Sequence, residues 1–544
     1  MKNTLDFIKM SDFKLKKAFN YKKAYDKISD SNLFDEEFYK ENFYSSNASN
    51  DESIKENLFS SSDEDLLFHY LFKGYKEDLD PSMNFSTLRY LDNNPSVKKS
   101  GMNPLVHYVL WGENENKKTY PSHLLEKQNT LNRNMEFLHN YQFEEEPLVS
   151  IVILNHNGRD YLDILFKDFS KKANYSNFEV IFVDNASDDD SVAYLKSMNL
   201  DFPLKIIENK KNLSFSKANN DGVKAADGEY VLLLNNDIEP TFGWLNEMMG
   251  VMLNNDNVGS VGAKLVFPYF KEDKKMKKSY KLQHAGDVFH FDRLLLSPDH
   301  RFKQIDPFDD RVNNSCKVAS VTAACVLVKK SIYEDMGGLY EEYFYSYEDV
   351  DFSLKLNKSG YDTYYCSSAL LFHYESFSRP IDLENDARNK KILFDRWFDY
   401  LNKNIFFDII DSKRFFSDQP LKLLFICEES DDDFTVKLKE DFESRGYKVQ
   451  MSNKVKPYLD TDVMISFSQD PDIEDIKVRE NSIKVLWANG KELNNFSNFY
   501  DLAIVSNEEL FDSIENKNNI FSIDCDYCES FIDILKEHVL ERFN

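Results

Sequence analysis

The strongest chemical signal in the chain is Tyr230-Val231-Leu232-Leu233-Leu234-Asn235-Asn236-Asp237, a short apolar run that ends abruptly in two amides and a carboxylate. Such a run, bounded by polar residues, reads as a strand buried on both faces. In open α/β sheets, ligands bind just beyond the carboxyl ends of such strands. A carboxylate there can hold a divalent cation against a diphosphate, because Mg²⁺ usually takes one or two carboxylates plus phosphate oxygens. An Asx turn ending a strand is the alternative. Three more apolar runs end in polar groups: Asn155-His156-Asn157-Gly158, Asp184-Asn185-Ala186-Ser187-Asp188, and the stretch from Asn209 to Asn220. Four such ends around one sheet outline a ligand crevice. Asp184 can accept the N–H of a nucleobase, while Asn155, Asn212 and Asn219 can meet base and ribose; each has a capping or turn role as its alternative. Glu348, Asp349 and Asp351 stand just before the helical run from Phe352. Carboxylates so placed can favour the helix dipole, or one can act as a base whose pKa its neighbours raise. Spacing alone does not choose among the three.

These residues need a sheet to hold them. Strands expected over 149–154, 179–183, 204–208 and 230–234 alternate with helices near 159–172, 190–198 and 214–226, which implies a largely parallel, doubly wound α/β sheet. The pattern loosens after 268, and lysine-rich 271–281 reads as an exposed loop. A second α/β pattern follows Pro420, with strands expected over 421–427, 448–451, 463–467, 483–488, 502–506 and 520–525. Its first strand leads into Glu428-Glu429-Ser430-Asp431-Asp432-Asp433. A phosphate cradle needs glycine and a helix N-terminus free of crowding negative charge, so this domain is expected to be non-catalytic.

Ahead of the central segment lies a weak repeat. Leu67-Phe68-His69-Tyr70-Leu71-Phe72-Lys73-Gly74 matches Leu105-Val106-His107-Tyr108-Val109-Leu110-Trp111-Gly112, and upstream Phe34 to Tyr39 partly matches Phe85 to Tyr90. Each unit reads as short helices ended by glycine, with a proline soon after. His69 and His107 are expected to be packed, hydrogen-bonded histidines, since equivalence within a repeat argues for architecture. Residues 1–30 are lysine-rich with interleaved aromatics. They can rest on an anionic membrane surface, or stand as a solvated helix. The expected organisation is a basic segment over 1–30, a helical two-repeat module over 31–125, a linker or connecting helix over 126–146, a catalytic domain over 147–400 and a second α/β domain over 418–544.

At 544 residues the chain is too long for one core. Its net charge of −27 excludes a sequence-independent nucleic-acid binder, which needs a basic field. An anionic substrate would need local compensation from a metal or from clustered Lys and Arg. The cysteines are sparse, and Cys525-Asp-Tyr-Cys528 lacks the second Cys or His pair a zinc site needs. No segment has the apolar length of a membrane span and the N-terminus lacks a signal-peptide core, so a cytoplasmic protein is expected.

Taken together, the motifs from about 148 to 377 resemble a family 2 glycosyltransferase of the GT-A fold, and especially its rhamnosyltransferase-like branch. The resemblance rests on Val152 to Gly158, Val183-Asp184-Asn185-Ala186-Ser187, Gly228 to Asp237, Gln283-His284-Ala285-Gly286, Thr322-Ala323-Ala324-Cys325, Tyr347-Glu348-Asp349-Val350-Asp351 and His373-Tyr374-Glu375-Ser376, in the family's order. It implies that Asp237 closes a degenerate metal-binding DxD beside Asn236, that Asp184 holds the base, and that His373 completes the site for Mg²⁺ or Mn²⁺. It also implies that Asp349 is the general base of a single inverting displacement. His284 is placed near the donor phosphates or the acceptor, or serves as a structural loop histidine. The implied partners are a nucleoside-diphosphate sugar and a glycan or lipid-linked glycan acceptor. The C-terminal pattern resembles a Rossmann-like half of a GT-B enzyme. Ser214 departs from the family, which usually has glycine in Asn-x-Gly-Phe, and leaves the backbone of that loop open. Two other classes compete: a non-catalytic glycan-binding scaffold, and a nucleotidyltransferase, whose Gly-rich, Arg-containing first loop Asn155-His156-Asn157-Gly158-Arg159 matches poorly.

Overall fold

Runs of branched and aromatic residues form β1 (Val149–Asn155), β2 (Phe178–Asp184), β3 (Leu204–Glu208) and β4 (Tyr230–Asn235), which pair in parallel in the order β4-β1-β2-β3. The computed structural model describes residues 4–10, 15–40, 65–269, 279–292, 295–375, 383–411, 413–427, 433–452, 461–467, 482–488, 499–506, 508–512, 514, 517–523 and 526–543. Most of the expected loop at 271–281, the acidic turn at 428–432 and Cys525 of the CxxC lie outside them.

Alternation along each strand feeds two cores. Ile151, Ile153, Phe182, Leu232 and Leu234 point into one apolar cluster, while Val152, Ile181, Val183, Val231 and Leu233 point into the other. Helix Phe215–Lys224 closes the second face so tightly that a side chain on Gly222 would lie 2.5 Å from Val152. The expected helix near 159–172 is instead two short pieces, Leu162–Phe166 and Phe169–Ala173, because Asp168 between them takes the left-handed conformation.

Beyond β4 the sheet becomes mixed, as expected of a GT-A domain. β5 (Ile238–Pro240), β6 (Val258–Val266), β7 (Leu282–His284), β10 (Cys316–Lys317), β11 (Cys325–Lys329) and β12 (Asp362–His373) extend it in the order β10-β12-β6-β11-β4. Strand β11 runs antiparallel to β4 and β6, and β12 runs parallel to β6. The β8 (Asp287–Asp292) and β9 (Leu295–His300) hairpin stands outside this sheet. The C-terminal strands β13 (Lys422–Ile426), β14 (Lys448–Ser452), β15 (Val463–Ser466), β16 (Ile483–Ala488), β17 (Leu502–Val505) and β18 (Ile520–Ser522) form a separate all-parallel sheet in the order β14-β13-β15-β16-β17-β18. Its core is continuous with the long helix Leu383–Ile410 and, through Val350 and Leu354, with the helix that carries Asp349.

The N-terminal helices share one aromatic core. The two repeat units make the same contact. Tyr39 Oη meets His69 Nδ1 at 2.8 Å, and Tyr90 Oη meets His107 Nδ1 at 2.9 Å. A Cβ on Gly74 would fall 2.0 Å from the Tyr39 hydroxyl, and one on Gly112 would fall 2.4 Å from that of Tyr90. The basic segment is part of this module, since Phe7, Ala18, Tyr21, Tyr25 and Ile28 are buried in its core. Its outer side exposes Leu15 and Phe19 beside Lys16, Lys17 and Lys23. Among the described residues, no helix is long and apolar enough to cross a membrane.

The segment expected as a linker or connecting helix holds a helix, His123–Met135, tied on two sides. Arg89 of the repeat module grips Glu126 through both guanidinium nitrogens at 2.6 and 2.5 Å. Lys127, one residue later, donates to both oxygens of Glu239 on β5 at 2.6 and 2.8 Å.

Candidate functional site

The carboxyl ends of β1, β2 and β4 meet through side chains. Asn155 is fully buried; its Nδ2 lies 3.0–3.1 Å from Asp184 Oδ1, Ser187 Oγ and Ser191 Oγ, and its Oδ1 accepts from Asn236 Nδ2 at 2.8 Å. Gly158 has no room for a side chain here, because a Cβ would sit 2.0 Å from Asn236 Nδ2 and 2.3 Å from Asn155 Oδ1. Asp184 accepts from the Ser187 amide at 3.1 Å and the Ser187 hydroxyl at 2.5 Å. These contacts make Asn155 a brace and leave Asp184 and Asn236 at the crevice.

Asn185, which the sequence reading passed over, organises the loop after β3. Its Nδ2 donates to Asn212 Oδ1 at 2.7 Å and Leu213 O at 2.9 Å, and its Oδ1 accepts from Leu213 N at 2.9 Å and Asn209 Nδ2 at 3.1 Å. Asn212 is thereby held at the surface, 3.5 Å from His156 Nε2. Ser214 needs no glycine-like conformation. Its backbone is extended, and its hydroxyl caps helix Phe215–Lys224 by accepting from Lys217 N. Asn219 is not brought to the others. It is buried in that helix with its Nδ2 donated to Phe215 O at 3.0 Å.

Asp237 and His373 come together although far apart in sequence, because β5 pairs antiparallel with β12 and sets Ile238 opposite His373. The backbone of Tyr374 also donates to Asp237 O at 3.0 Å. His373 Nε2 lies 3.3 Å from Asp237 Oδ1, and both side chains are largely buried. On the other side of the ring, His373 Nδ1 lies 3.0 Å from Gln283 Oε1, and Gln283 Nε2 donates to Glu375 at 3.0 Å. A carboxylate only accepts, so the Gln283 amide must turn its NH₂ to Glu375 and its carbonyl to His373. When the His373 ring is neutral, its proton then sits on Nδ1 and the Nε2 lone pair turns to Asp237. Two lone pairs facing each other at that spacing suit a shared divalent cation, and a metal-ligating histidine almost always donates its other N–H to such a partner. The residues present fit a divalent cation, which Asp237 and His373 would hold.

Tyr161 and Glu239 border this pair and were not found from the sequence. Tyr161 packs its ring 5.8 Å from that of Tyr374, and its phenol is raised by burial and by the charge of Asp237. The Tyr374 hydroxyl donates to Glu239 at 3.2 Å.

His284 sits next to Gln283 but faces the other way and is fully buried. Its Nε2 accepts from the backbone amides of Gly286 at 3.2 Å and Thr322 at 3.3 Å. Of the expected roles, these contacts match the structural loop histidine, which here supports the Thr322 loop. Its Nδ1 lies 3.1 Å from His300 Nδ1 and 3.5 Å from Asp287 Oδ1, and His300 Nδ1 lies 2.7 Å from the same oxygen. Three potential metal ligands converge here. However, the two amides on Nε2 leave the His284 proton on Nδ1, pointing into the centre of the triangle, where a cation would need a lone pair. This cluster is held by protons. Burial pushes His284 down to about 3, so it stays neutral. Burial opposes a charge on His300 as well, but the hydrogen bond and charge of Asp287 outweigh it and raise His300.

The same loop reaches the third carboxylate group. Ala323 N donates to Asp349 Oδ2 at 3.0 Å, and Val350 N to Oδ1 at 2.8 Å. Burial, then the charge of Asp287, raises Asp349 above the usual carboxylate range. Ser346 and Tyr347 just before it both take left-handed conformations, φ 71° and 74°, so helix Glu348–Lys358 starts abruptly with Asp349 in its first turn. Non-glycine residues in that region each cost about 1–3 kcal/mol and cluster at functional sites. Asp351, by contrast, is fully buried against Arg396 at 2.6 Å and Trp397 Nε1 at 2.6 Å.

Residues 150–337 match the family model for Glycosyl transferase family 2. Uncharacterized protein y4gI of Sinorhizobium fredii is 32% identical over 272 residues, 48% of this chain and 28% of that protein. The O-antigen biosynthesis protein RfbC of Myxococcus xanthus is 29% identical over 264 residues, 48% of this chain and 19% of that protein. The chain therefore aligns with less than a third of the length of these relatives. The crystal structure of GalNAc-T7 with UDP, GalNAc and Mn²⁺ covers 56% of each chain at 14% identity, with a TM-score of 0.35.

Proposed function

We propose, from the glycosyl transferase family 2 domain that residues 150–337 match, that the protein moves a sugar from a nucleoside-diphosphate donor to a hydroxyl of a growing cell-surface glycan. The transfer inverts the anomeric centre and depends on Mg²⁺ or Mn²⁺. The observation that carries this reading is a continuous path of side-chain contacts and backbone that joins the ends of several strands. It runs from Asp237 through His373 and Gln283 to His284, then through the Thr322–Ala323 loop to Asp349. In this reading Asp237 serves the donor diphosphate, and Asp349, with its raised pKa, serves the acceptor hydroxyl.

In this reading Asp184, Asn212 and Asn236 line the nucleotide, and Asp237 with His373 meets the diphosphate. The cation, when bound, neutralises charge that develops on the leaving diphosphate. The acceptor oxygen attacks the anomeric carbon, the bond from that carbon to the diphosphate oxygen breaks, and the acceptor proton passes to Asp349. A raised pKa suits Asp349 to take that proton near neutral pH. Asn155, Asn185 and His284 act through the groups they hold. Only Asp237 of the Asn235-Asn236-Asp237 triplet brings charge, so the site holds metal weakly until the diphosphate adds its own oxygens.

The rhamnosyltransferase-like motifs favour dTDP-rhamnose as the donor, with lipid-linked glycan as the acceptor. Work at the cytoplasmic face of the membrane is part of the same reading. Leu15 and Phe19, exposed beside three lysines in a chain of net charge −27, support contact with an anionic surface. The test is a panel of nucleotide sugars screened with and without Mn²⁺ for thermal stabilisation and slow donor hydrolysis. A donor at 100 times its Kd stabilises by about 2.7 kcal/mol if it binds only the folded state. Metal-dependent hydrolysis lost in Asp237→Ala supports the proposal, and no response to any donor refutes it.

A further inference from the structure

We infer that Gln283 is a positioning residue for the cation, fixing which nitrogen of His373 carries the proton, with Glu375 fixing the orientation of Gln283. The inference rests on the metal-dependent reading above and names residues that reading leaves without a role. Gln283 is 2% exposed on β7, a three-residue strand paired to the end of β6. Its side chain makes two directional contacts: Oε1 to His373 Nδ1 at 3.0 Å, and Nε2 to Glu375 Oε2 at 3.0 Å.

Each contact constrains the next. The Glu375 carboxylate has no proton to give, so it takes the amide NH₂ and bars the flipped orientation of Gln283. The Gln283 carbonyl likewise has no proton to give, so it calls for the proton on His373 Nδ1. That leaves Nε2 to offer its lone pair beside Asp237 Oδ1, 3.3 Å away. Without the carbonyl, the neutral ring gains more by carrying its proton on Nε2. There it makes a charge-assisted hydrogen bond to Asp237 and occupies the position a cation would take. The neighbouring histidine shows the contrast. His284, one residue along, has amide N–H donors on Nε2 and so holds its proton on Nδ1 at the centre of its own cluster. The two histidines are sorted by what stands behind each ring.

The test compares Gln283→Leu, Gln283→Glu and the wild-type protein. Mn²⁺ affinity is read by electron paramagnetic resonance in the presence of inorganic pyrophosphate, a diphosphate with no base or sugar. Circular dichroism and thermal melting in EDTA establish that each variant is folded. Loss of a partner behind a metal-ligating histidine typically weakens metal binding by about 10–100-fold, and that loss is expected for Gln283→Leu. Gln283→Glu still accepts the Nδ1 proton, so it should bind Mn²⁺ within about threefold of wild type. A role in packing alone predicts the reverse order, because leucine fills the buried site and glutamate adds a charge beside Glu375. Wild-type affinity in a folded Gln283→Leu, or equal loss in both variants, overturns the inference and leaves the metal-dependent reading standing. Failure of the wild type to bind Mn²⁺ with pyrophosphate overturns that reading and this inference together.

Discussion

Asp349 and Asp351 stand two residues apart on one helix and turn to opposite sides of it, as 100° per residue requires. Asp351 is locked to Arg396 and Trp397, whereas Asp349 is held by backbone amides at the crevice. Exchanging each carboxylate for its amide should therefore split the two roles. Asp349→Asn should lose about 10²–10⁴-fold in transfer, the usual worth of a general base, with donor binding retained. Asp351→Asn should keep its chemistry when folded but lose about 1.5–3 kcal/mol, the scale of hydrogen bonds to a charged group. Transfer assays and urea melts on both variants check this.

The pH profile follows from the same group. In the proposed role Asp349 works ionised, and its pKa is raised by burial and by Asp287. The acidic limb of kcat/KM should therefore lie above the ordinary carboxylate range, with activity rising as pH rises through it. His284, pushed down to about 3, contributes no limb of its own near neutrality. Asp287→Asn removes the neighbouring charge and should move the limb to lower pH. A limb that stays in place would exclude Asp287 as a cause.

Asn185 makes four side-chain bonds within a loop that carries Asn212. Asn185→Ala releases that loop, so the donor KM should rise several-fold while kcat changes little. Initial-rate kinetics over a donor series separate the two constants. A kcat loss at unchanged KM would count against a donor-side role.

Gly74 and Gly112 offer a test of the repeat remote from the crevice. Alanine at either position puts a methyl group against a tyrosine hydroxyl, at 2.0 Å from Tyr39 or 2.4 Å from Tyr90. Overpacking of this kind typically costs about 1–3 kcal/mol. The two substitutions should destabilise by similar amounts, measured by denaturant unfolding.

Much of this was legible because local pattern and position coincide. The four strand ends were found from apolar runs that stop in polar residues, and the Tyr39–His69 and Tyr90–His107 contacts follow the alignment of the two repeat units. Other features depend on pairings that no window of sequence contains. Gln283 reaches the Asp237–His373 pair only through the β5–β12 and β6–β7 registers. His284 and Asn219 carried a polar side chain in the right neighbourhood, yet burial turned both to backbone partners. Among the three carboxylates at 348–351, spacing was neutral and the partner of Asp351 lay on a helix beginning at Leu383.

The helix His123–Met135 bears on where a minimal catalytic fragment can begin. A cut at the expected domain boundary of 147 would remove Lys127 from Glu239, a carboxylate only 14% exposed and two residues from Asp237. Starting before His123 keeps that partner but strands Glu126 without Arg89. A fragment that starts within the repeat module keeps both ion pairs, and its melting temperature is expected to exceed that of one starting at 147.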